Sequence, residues 1–275
     1  MEVVPLSSAA DVAALAADVV EALVRRAPGA VLGLATGSSP LPAYRELIGR
    51  HRAGTGPSYQ RVTCLTLDEY VGLPAGHPQS YRATIARELT DGLGIDPARV
   101  HGPDPVERGP DPTEHAPDPG QGGLAAAGER YERLIEAAGG VDLQILGIGT
   151  DGHLAFNEPG SSLASRTRLK TLTARTRADN ARFFGSPAEV PRHVLTQGLG
   201  TILRARHLLL LATGAGKAAA VAAAVEGPVS ASCPASVLQL HPHATVLLDE
   251  PAAAGLARGA YYREVYAGKP GWQGL

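Results

Sequence analysis

Aromatic side chains are scarce in this sequence: one Trp, three Phe and eight Tyr make up 4% of 275 residues. Ala, Val and Leu must therefore fill the core. Cysteine is nearly absent. Cys64 and Cys233 lie far apart in apolar surroundings, which fits reduced core thiols in a cytoplasmic protein rather than a disulfide framework. Neither sign of charge dominates: 25 Lys and Arg stand against 27 Asp and Glu, a formal net charge of −2. No global basic field draws nucleic acid or an anionic membrane, so the expected partner is a small molecule. No apolar run is long and uninterrupted enough to span a bilayer. The opening Met1-Glu2-Val3-Val4-Pro5 lacks the basic region of a signal peptide, and a cytoplasmic location is expected.

What is present points to an α/β protein. Residues are 44% hydrophobic and 19% charged, with 33 Gly and 22 Pro, and one domain over 1–275 is expected. Continuous apolar runs at Val31–Ala35, Val62–Leu67, Val141–Leu146, Leu208–Ala212 and Ala244–Leu248 read as buried strands. Helical spacing marks Asp11–Ala27, Leu41–Arg52, Ser80–Leu93, Leu124–Ala138 and Ala215–Glu226, with a short helix at Pro234–Leu240. Strands alternating with helices predict a mostly parallel, Rossmann-like sheet in a three-layer α/β/α sandwich. One stretch departs from this pattern. Gly102–Gly123 carries Pro-Asp-Pro at 103–105, 110–112 and 117–119, where prolines forbid a continuous helix, and it reads as a surface excursion. Its aspartates lack the Gly and terminal Glu pattern of a calcium loop.

The richest segment follows the strand at Val141. It runs Gly147-Ile148-Gly149-Thr150-Asp151-Gly152-His153-Leu154-Ala155-Phe156-Asn157-Glu158-Pro159. Its glycines spell a dinucleotide fingerprint, but Asp151 would face a pyrophosphate and Pro159 interrupts the helix such a site needs. An Asp, a His and a Glu beyond a strand's carboxyl end instead form an acid–base set.

Other strand ends add to it. Thr36-Gly37-Ser38-Ser39-Pro40 offers small hydroxyls and amides at a helix start, an anion cradle. An ordinary capped turn explains those residues equally well. Asp68-Glu69-Tyr70 supplies adjacent acids, either a helix cap or solvated loop, or a carboxylate base. Thr213-Gly214-Ala215-Gly216-Lys217 lacks the P-loop spacing, yet its lysine could meet a phosphate; alone it reads as solvated. His241 and His243 read as a solvated or core pair, because no third ligand lies nearby in sequence. Asp249-Glu250-Pro251 reads as a helix cap. Together these groups suit proton transfer on a phosphorylated small molecule.

The stretches LATGSSPLPAYREL, LDEYVGLPAGHPQSYR, GIGTDGHLAFNEPGSSLASRTRLKTLT, NARFF, Val194–Thr201, ATGAGKA and LQLHPHATVLLDE run in order from Val31 to Glu250. In these the chain resembles the glucosamine-6-phosphate deaminase (isomerase) family. The resemblance implies conversion of glucosamine 6-phosphate and water to fructose 6-phosphate and ammonia, with no metal or organic cofactor. It implies Asp68 as the base at C2, and His153 as the ring-opening group oriented by Asp151 and Glu158. It implies a phosphate site of Thr36, Gly37, Ser38, Ser39, Arg182 and Lys217, and a lid around 161–185. In some members the segment Ser161–Thr171 forms an allosteric phosphate site, which would draw on Ser161, Arg168, Lys170 and Thr171; the same bases also suit a lid or a subunit contact, as in a homo-oligomer. Thr150 stands where the family often has Asn, and the tail with Tyr261 and Tyr262 matches allosteric members poorly. A 6-phosphogluconolactonase, sharing the fold and phosphate loop, would lack Phe-Asn-Glu-Pro after Asp-Gly-His. A sugar-phosphate sensor in a transcription regulator would need a helix-turn-helix that does not precede the first strand.

Overall fold

A computed structural model describes residues 1–74, 76–105, 120–271 and 273–275. The chain opens with strand β1 (Glu2–Leu6), helix α1 (Ala9–Arg26), β2 (Val31–Leu34), α2 (Leu41–Arg52) and β3 (Thr63–Thr66). One residue later comes β4 (Asp68–Tyr70). Helix α3 (Tyr81–Ile85) follows, continues through a π-helical turn at Ala86–Thr90, and leads to β5 (Val100–His101). Then come α4 (Gly120–Ala137), β6 (Leu143–Leu146), β7 (Arg168–Thr171), α5 (Ala174–Asn180), β8 (His193–Thr196) and α6 (Leu199–Ile202). The carboxyl-terminal part holds β9 (His207–Ala212), α7 (Ala218–Val225), β10 (Ala244–Asp249), α8 (Glu250–Ala253) and α9 (Gly259–Ala267).

Seven strands form one parallel sheet in the order β1-β10-β9-β6-β2-β3-β5. The apolar runs are strands because both their faces are covered. Along β9, Leu208 and Leu210 enter one core with α4, α6 and α7, while Leu209 and Leu211 enter the other with α1 and α2. This is the expected three-layer α/β/α arrangement. Helix α1 begins where Ser8 Oγ accepts the Asp11 amide at 3.2 Å, and buries Val12, Ala16, Val20, Leu23 and Val24 on one stripe. The Pro-Asp-Pro repeats at 110–112 and 117–119 lie outside the described residues. At the start of that stretch Pro103 and Pro105 are buried.

A second, antiparallel sheet, β4-β8-β7, was not anticipated. The chain changes sheets at Leu67, whose N–H donates to Leu34 O at 3.2 Å and whose carbonyl accepts from Gln197 N at 2.7 Å. Its footing is a buried carboxylate. Glu132 Oε1 on α4 accepts from Thr167 N at 2.8 Å, Thr167 Oγ1 at 2.6 Å and Thr201 Oγ1 at 2.5 Å, and Oε2 pairs with Arg204 and Arg166. Close approach completes it. A Cβ on Gly198 would stand 2.1 Å from Ser165 O, so only glycine fits there.

His207 begins β9 at the amino end of the sheet, far along the strand from its catalytically suggestive loops. Its ring stacks on His243 at 3.7 Å and 7°, and Nε2 meets Thr245 Oγ1 at 2.9 Å. Burial, then the fields of His243, His241, Arg26 and Lys269, pushes its pKa from 6.5 down to about 4. Below about pH 6.5 the unfolded chain takes up a proton that the folded chain refuses until about pH 4. Stability is thus complete above that window and falls as pH drops through it. His207→Asn should flatten the loss, as read by melting temperature between pH 7 and 4. An unchanged slope would assign it to other groups.

Candidate functional site

Strand order reverses between β2 and β6: β2 is followed by β3 on one side, and β6 by β9 on the other. Such a switch point opens a crevice at the carboxyl ends of the two strands. Thr36–Ser39 leaves β2 there, with Gly37 at φ 114°, a conformation that favours glycine. The hydroxyls of Thr36, Ser38 and Ser39 have no protein partner among the described residues, and α2 follows Pro40, its N-cap, without a side-chain cap. The turn after β6 lies against this loop, since a side chain on Gly147 would meet Ser39 Cβ at 3.9 Å. Lys217, in the 3-10 turn Ala215–Lys217 after β9, donates from Nζ to Ile148 O at 2.7 Å. Burial lowers its pKa; Asp151 opposes that shift and Arg182 adds to it. Arg182 itself is exposed, its guanidinium 4.7 Å from the centre of the Phe183 ring. Thr36–Ser39 and Lys217 therefore both lie against the turn after β6, and Arg182 is near enough for its charge to act on Lys217.

The acid–base turn is built around two glycines. A Cβ on Gly149 would stand 2.2 Å from His153 Nδ1, so the imidazole lies directly over bare backbone. Gly152, at φ 84°, abuts Cys233, with a hypothetical Cβ 2.6 Å from Sγ. Asp151 Oδ1 meets His153 Nδ1 at 2.6 Å and accepts its backbone N–H at 3.2 Å. A carboxylate hydrogen-bonded to Nδ1 leaves the ring's other nitrogen as the exchangeable site. Burial works against the Asp151 charge, but the imidazole's field and these bonds hold its carboxyl below the usual range. Ala155 adopts φ 51°, unusual for a residue with a Cβ. Buried Asn157 holds that kink by donating from Nδ2 to Leu154 O at 3.0 Å and Gln197 O at 2.8 Å. Glu158 bonds elsewhere than the imidazole: its Oε1 accepts from Thr176 Oγ1 of α5 at 2.5 Å.

The adjacent acids separate into the two roles left open by the sequence. Glu69 is the cap, accepting from Tyr70 N and Tyr81 N at 2.9 Å and from Arg82 N at 3.0 Å. Asp68 is 5% exposed, and no group donates to its carboxylate among the described residues. Burial, reinforced by the charge of Glu69, raises its pKa well above the usual carboxylate range. Asp68, Thr196 and Arg168 form one row across β4, β8 and β7. Thr196 Oγ1 accepts the Phe156 N–H at 3.3 Å, which fastens the acid–base turn one strand away from Asp68.

The remaining candidates are less unified. Ser161 is 4% exposed with an unpartnered hydroxyl, and its N–H donates to Glu158 O at 3.0 Å. Arg168 lines a groove against α4 together with Arg133 and Arg166, and burial lowers its pKa. Thr171 Oγ1 meets His193 Nδ1 at 3.2 Å, and Lys170 pairs in register with Val194. No hydrogen bond or ion pair joins Ser161 to Arg168 or Lys170 among the described residues. His241 is a core residue, its nitrogens meeting His243 O at 2.7 Å and Ala205 O at 2.8 Å. Asp249 caps α8 through Ala252 N at 2.9 Å. Among the described residues no three His, Cys, Asp or Glu are grouped to hold a metal ion, and no helix is long and apolar enough to cross a membrane.

Sequence reasoning missed an aromatic cluster beside Asp68. Tyr70 packs on Tyr81 at 4.8 Å, on Phe184 at 5.5 Å and on Phe156 at 6.3 Å. The signal was available: all four lie within the motifs quoted above, which hold six of the chain's twelve aromatic residues.

The family described as glucosamine-6-phosphate isomerases/6-phosphogluconolactonase matches residues 6–247. A protein of Pseudarthrobacter chlorophenolicus named glucosamine-6-phosphate deaminase is 59% identical over 275 residues, covering 100% of both chains. One of the same name from Streptomyces coelicolor is 55% identical over 276 residues, again covering 100% of both. Among solved structures, a monomeric glucosamine-6-phosphate deaminase aligns with a TM-score of 0.82 and 38% identity, over 93% of this chain and 100% of that one. A 6-phosphogluconolactonase from Trypanosoma cruzi aligns with a TM-score of 0.70 at 20% identity, over 93% of this chain and 97% of its own, a likeness of fold. Fold, motif order and full-length identity agree, and the chain belongs to the glucosamine-6-phosphate isomerase/6-phosphogluconolactonase family.

Proposed function

We propose that this protein converts glucosamine 6-phosphate and water to fructose 6-phosphate and ammonia in the cytoplasm. The observation that carries the reading is the state of Asp68, a buried carboxylate without donors among the described residues, its proton affinity raised, at the start of β4 beside the crevice. A base that must take a proton from carbon gains driving force from a raised pKa. The substrate's ammonium group, once bound nearby, favours the ionised carboxylate and readies it.

In this reading Thr36, Gly37, Ser38, Ser39, Arg182 and Lys217 hold the phosphate. His153, polarised by Asp151 at 2.6 Å, moves the proton that opens the pyranose ring. Asp68 takes the C2 proton and returns it at C1. The amine leaves C2 as ammonia, with water supplying the carbonyl oxygen. Glu158 assists the proton traffic at the turn, and residues 161–185 cover the site. Supporting this choice over lactone hydrolysis, the relatives that match along the whole chain at 55–59% identity carry the deaminase name, whereas the lactonases align at about 20%.

The protein should release ammonia and fructose 6-phosphate from glucosamine 6-phosphate in excess EDTA, and should leave 6-phosphogluconolactone largely unhydrolysed. Lactone hydrolysis without ammonia release would replace this reading with the hydrolase. Loss of activity on chelation, restored by a divalent cation, would overturn its metal-free form.

Lys217→Ala should raise KM for glucosamine 6-phosphate by roughly ten- to a hundredfold, since a charge-assisted bond contributes about 1.5–3 kcal/mol. Glucosamine without phosphate should hardly register the change. Equal losses on both substrates would mean that the bond to Ile148 O, which braces the turn, is what Lys217 supplies.

A further inference from the structure

Asp68 and the acid–base turn come from separate parts of the chain, and one short helix bonds both to the turn and to Tyr70, two residues from Asp68. Thr176 and Asn180 are four residues apart on α5, so they project from one face. Thr176 Oγ1 donates to Glu158 Oε1 at 2.5 Å, and Asn180 Nδ2 donates to Tyr70 Oη at 3.1 Å. Tyr70 lies two residues from Asp68 on the same face of β4, and its hydroxyl also accepts from Tyr81 Oη at 3.2 Å.

The direction of the hydroxyl bonds follows from their partners. A carboxylate oxygen only accepts, so Thr176 must spend its single hydroxyl proton on Glu158. Thr173 Oγ1, 2.9 Å away, then directs its own proton at Thr176 Oγ1, while accepting the Thr176 amide at 3.1 Å as the cap of α5. The helix start and the acid–base turn are thus one polarised chain of bonds. At its other end α5 passes directly into the turn Ala181–Phe183, which carries Arg182. Phe184 then packs edge-on against Tyr70, at 5.5 Å and 89°. An anion held by Arg182 would fix the segment that grips both halves of the site.

We propose that Thr176 and Asn180 are positioning residues, through which α5 holds Glu158 and Tyr70 in mutual register and converts phosphate capture at Arg182 into alignment of the reacting groups. The inference rests on the deaminase reading. Binding energy remote from the reacting carbons then appears in kcat rather than in KM.

The test uses Thr176→Val, which keeps the shape and removes the donor, and Thr176→Ser, which keeps the donor. With kcat normalised to the folded fraction, Thr176→Val should lose at least about tenfold in kcat for ammonia release while KM stays within about threefold. Thr176→Ser should stay within about threefold of the parent in both constants, and Asn180→Leu should show the same kcat-dominated loss as the valine variant. A kcat for Thr176→Val within about twofold of the parent, or a serine variant as impaired as the valine one, would overturn the inference alone. A parent chain that releases no ammonia would remove the deaminase reading and this inference together.

Discussion

Strands β2 and β6 are neighbours whose onward connections leave on opposite faces of the sheet, α2 on one and α6 on the other. No helix can then cover the border at their carboxyl ends, and a crevice is unavoidable. Most groups in the proposed chemistry enter through that opening: Thr36–Ser39 after β2, Asp68 after β3, the turn 147–158 after β6 and Lys217 after β9, whereas Arg182 follows α5. The second sheet closes one wall. It exists because the chain turns at Leu67 instead of ending with β3, which places Asp68 in a row with Thr196 rather than in solvent.

Within the crevice the acids are driven apart by their surroundings. Asp68 has burial and a like charge acting on it and no donor among the described residues, so its proton affinity rises. Asp151 is buried less, and the imidazole and amide of His153 hold its proton affinity down. Groups separated in this way can exchange protons with substrate at different stages of one reaction. Glu69 is withdrawn from that exchange by three amide donors, which makes it a helix cap whose charge still acts on its neighbour. The charge of Arg182 acts on Lys217, as in a pair of cations gathered for a dianionic phosphate.

The central strands were legible in the sequence because burial on both faces leaves an unbroken apolar run, as in Leu208–Ala212. β1 was not, since Pro5 interrupts it. Its place at the sheet edge explains why proline is tolerated there: among the described residues β1 pairs only with β10, and one side of its backbone needs no ladder bond. β7, with the sequence Arg-Leu-Lys-Thr, and the three-residue β4 escaped for a different reason. Neither has two buried faces, and their pairing with β8 depends on partners more than a hundred residues apart for β4. Of the site, the motif residues at 36–39, 68, 151–158 and 217 were readable as chemistry at strand ends. Thr176 and Asn180 were not, because a Thr and an Asn on a short polar helix look like surface until their partners are known. Ser161 and the β7 bases were grouped by resemblance alone, and the fold leaves them without a shared bond among the described residues.

The account depends most on Asp68 carrying a proton between two carbons of one substrate. Glucosamine 6-phosphate turned over in deuterated water tests this directly, with label at C1 of fructose 6-phosphate read by mass spectrometry or NMR. The parent protein should place solvent deuterium at C1. Asp68→Asn, nearly isosteric and still able to bind a substrate analogue, should lose at least about 10²-fold in turnover and essentially all solvent exchange. Substantial turnover with C1 label retained in Asp68→Asn would contradict the account and remove Asp68 from the role of base.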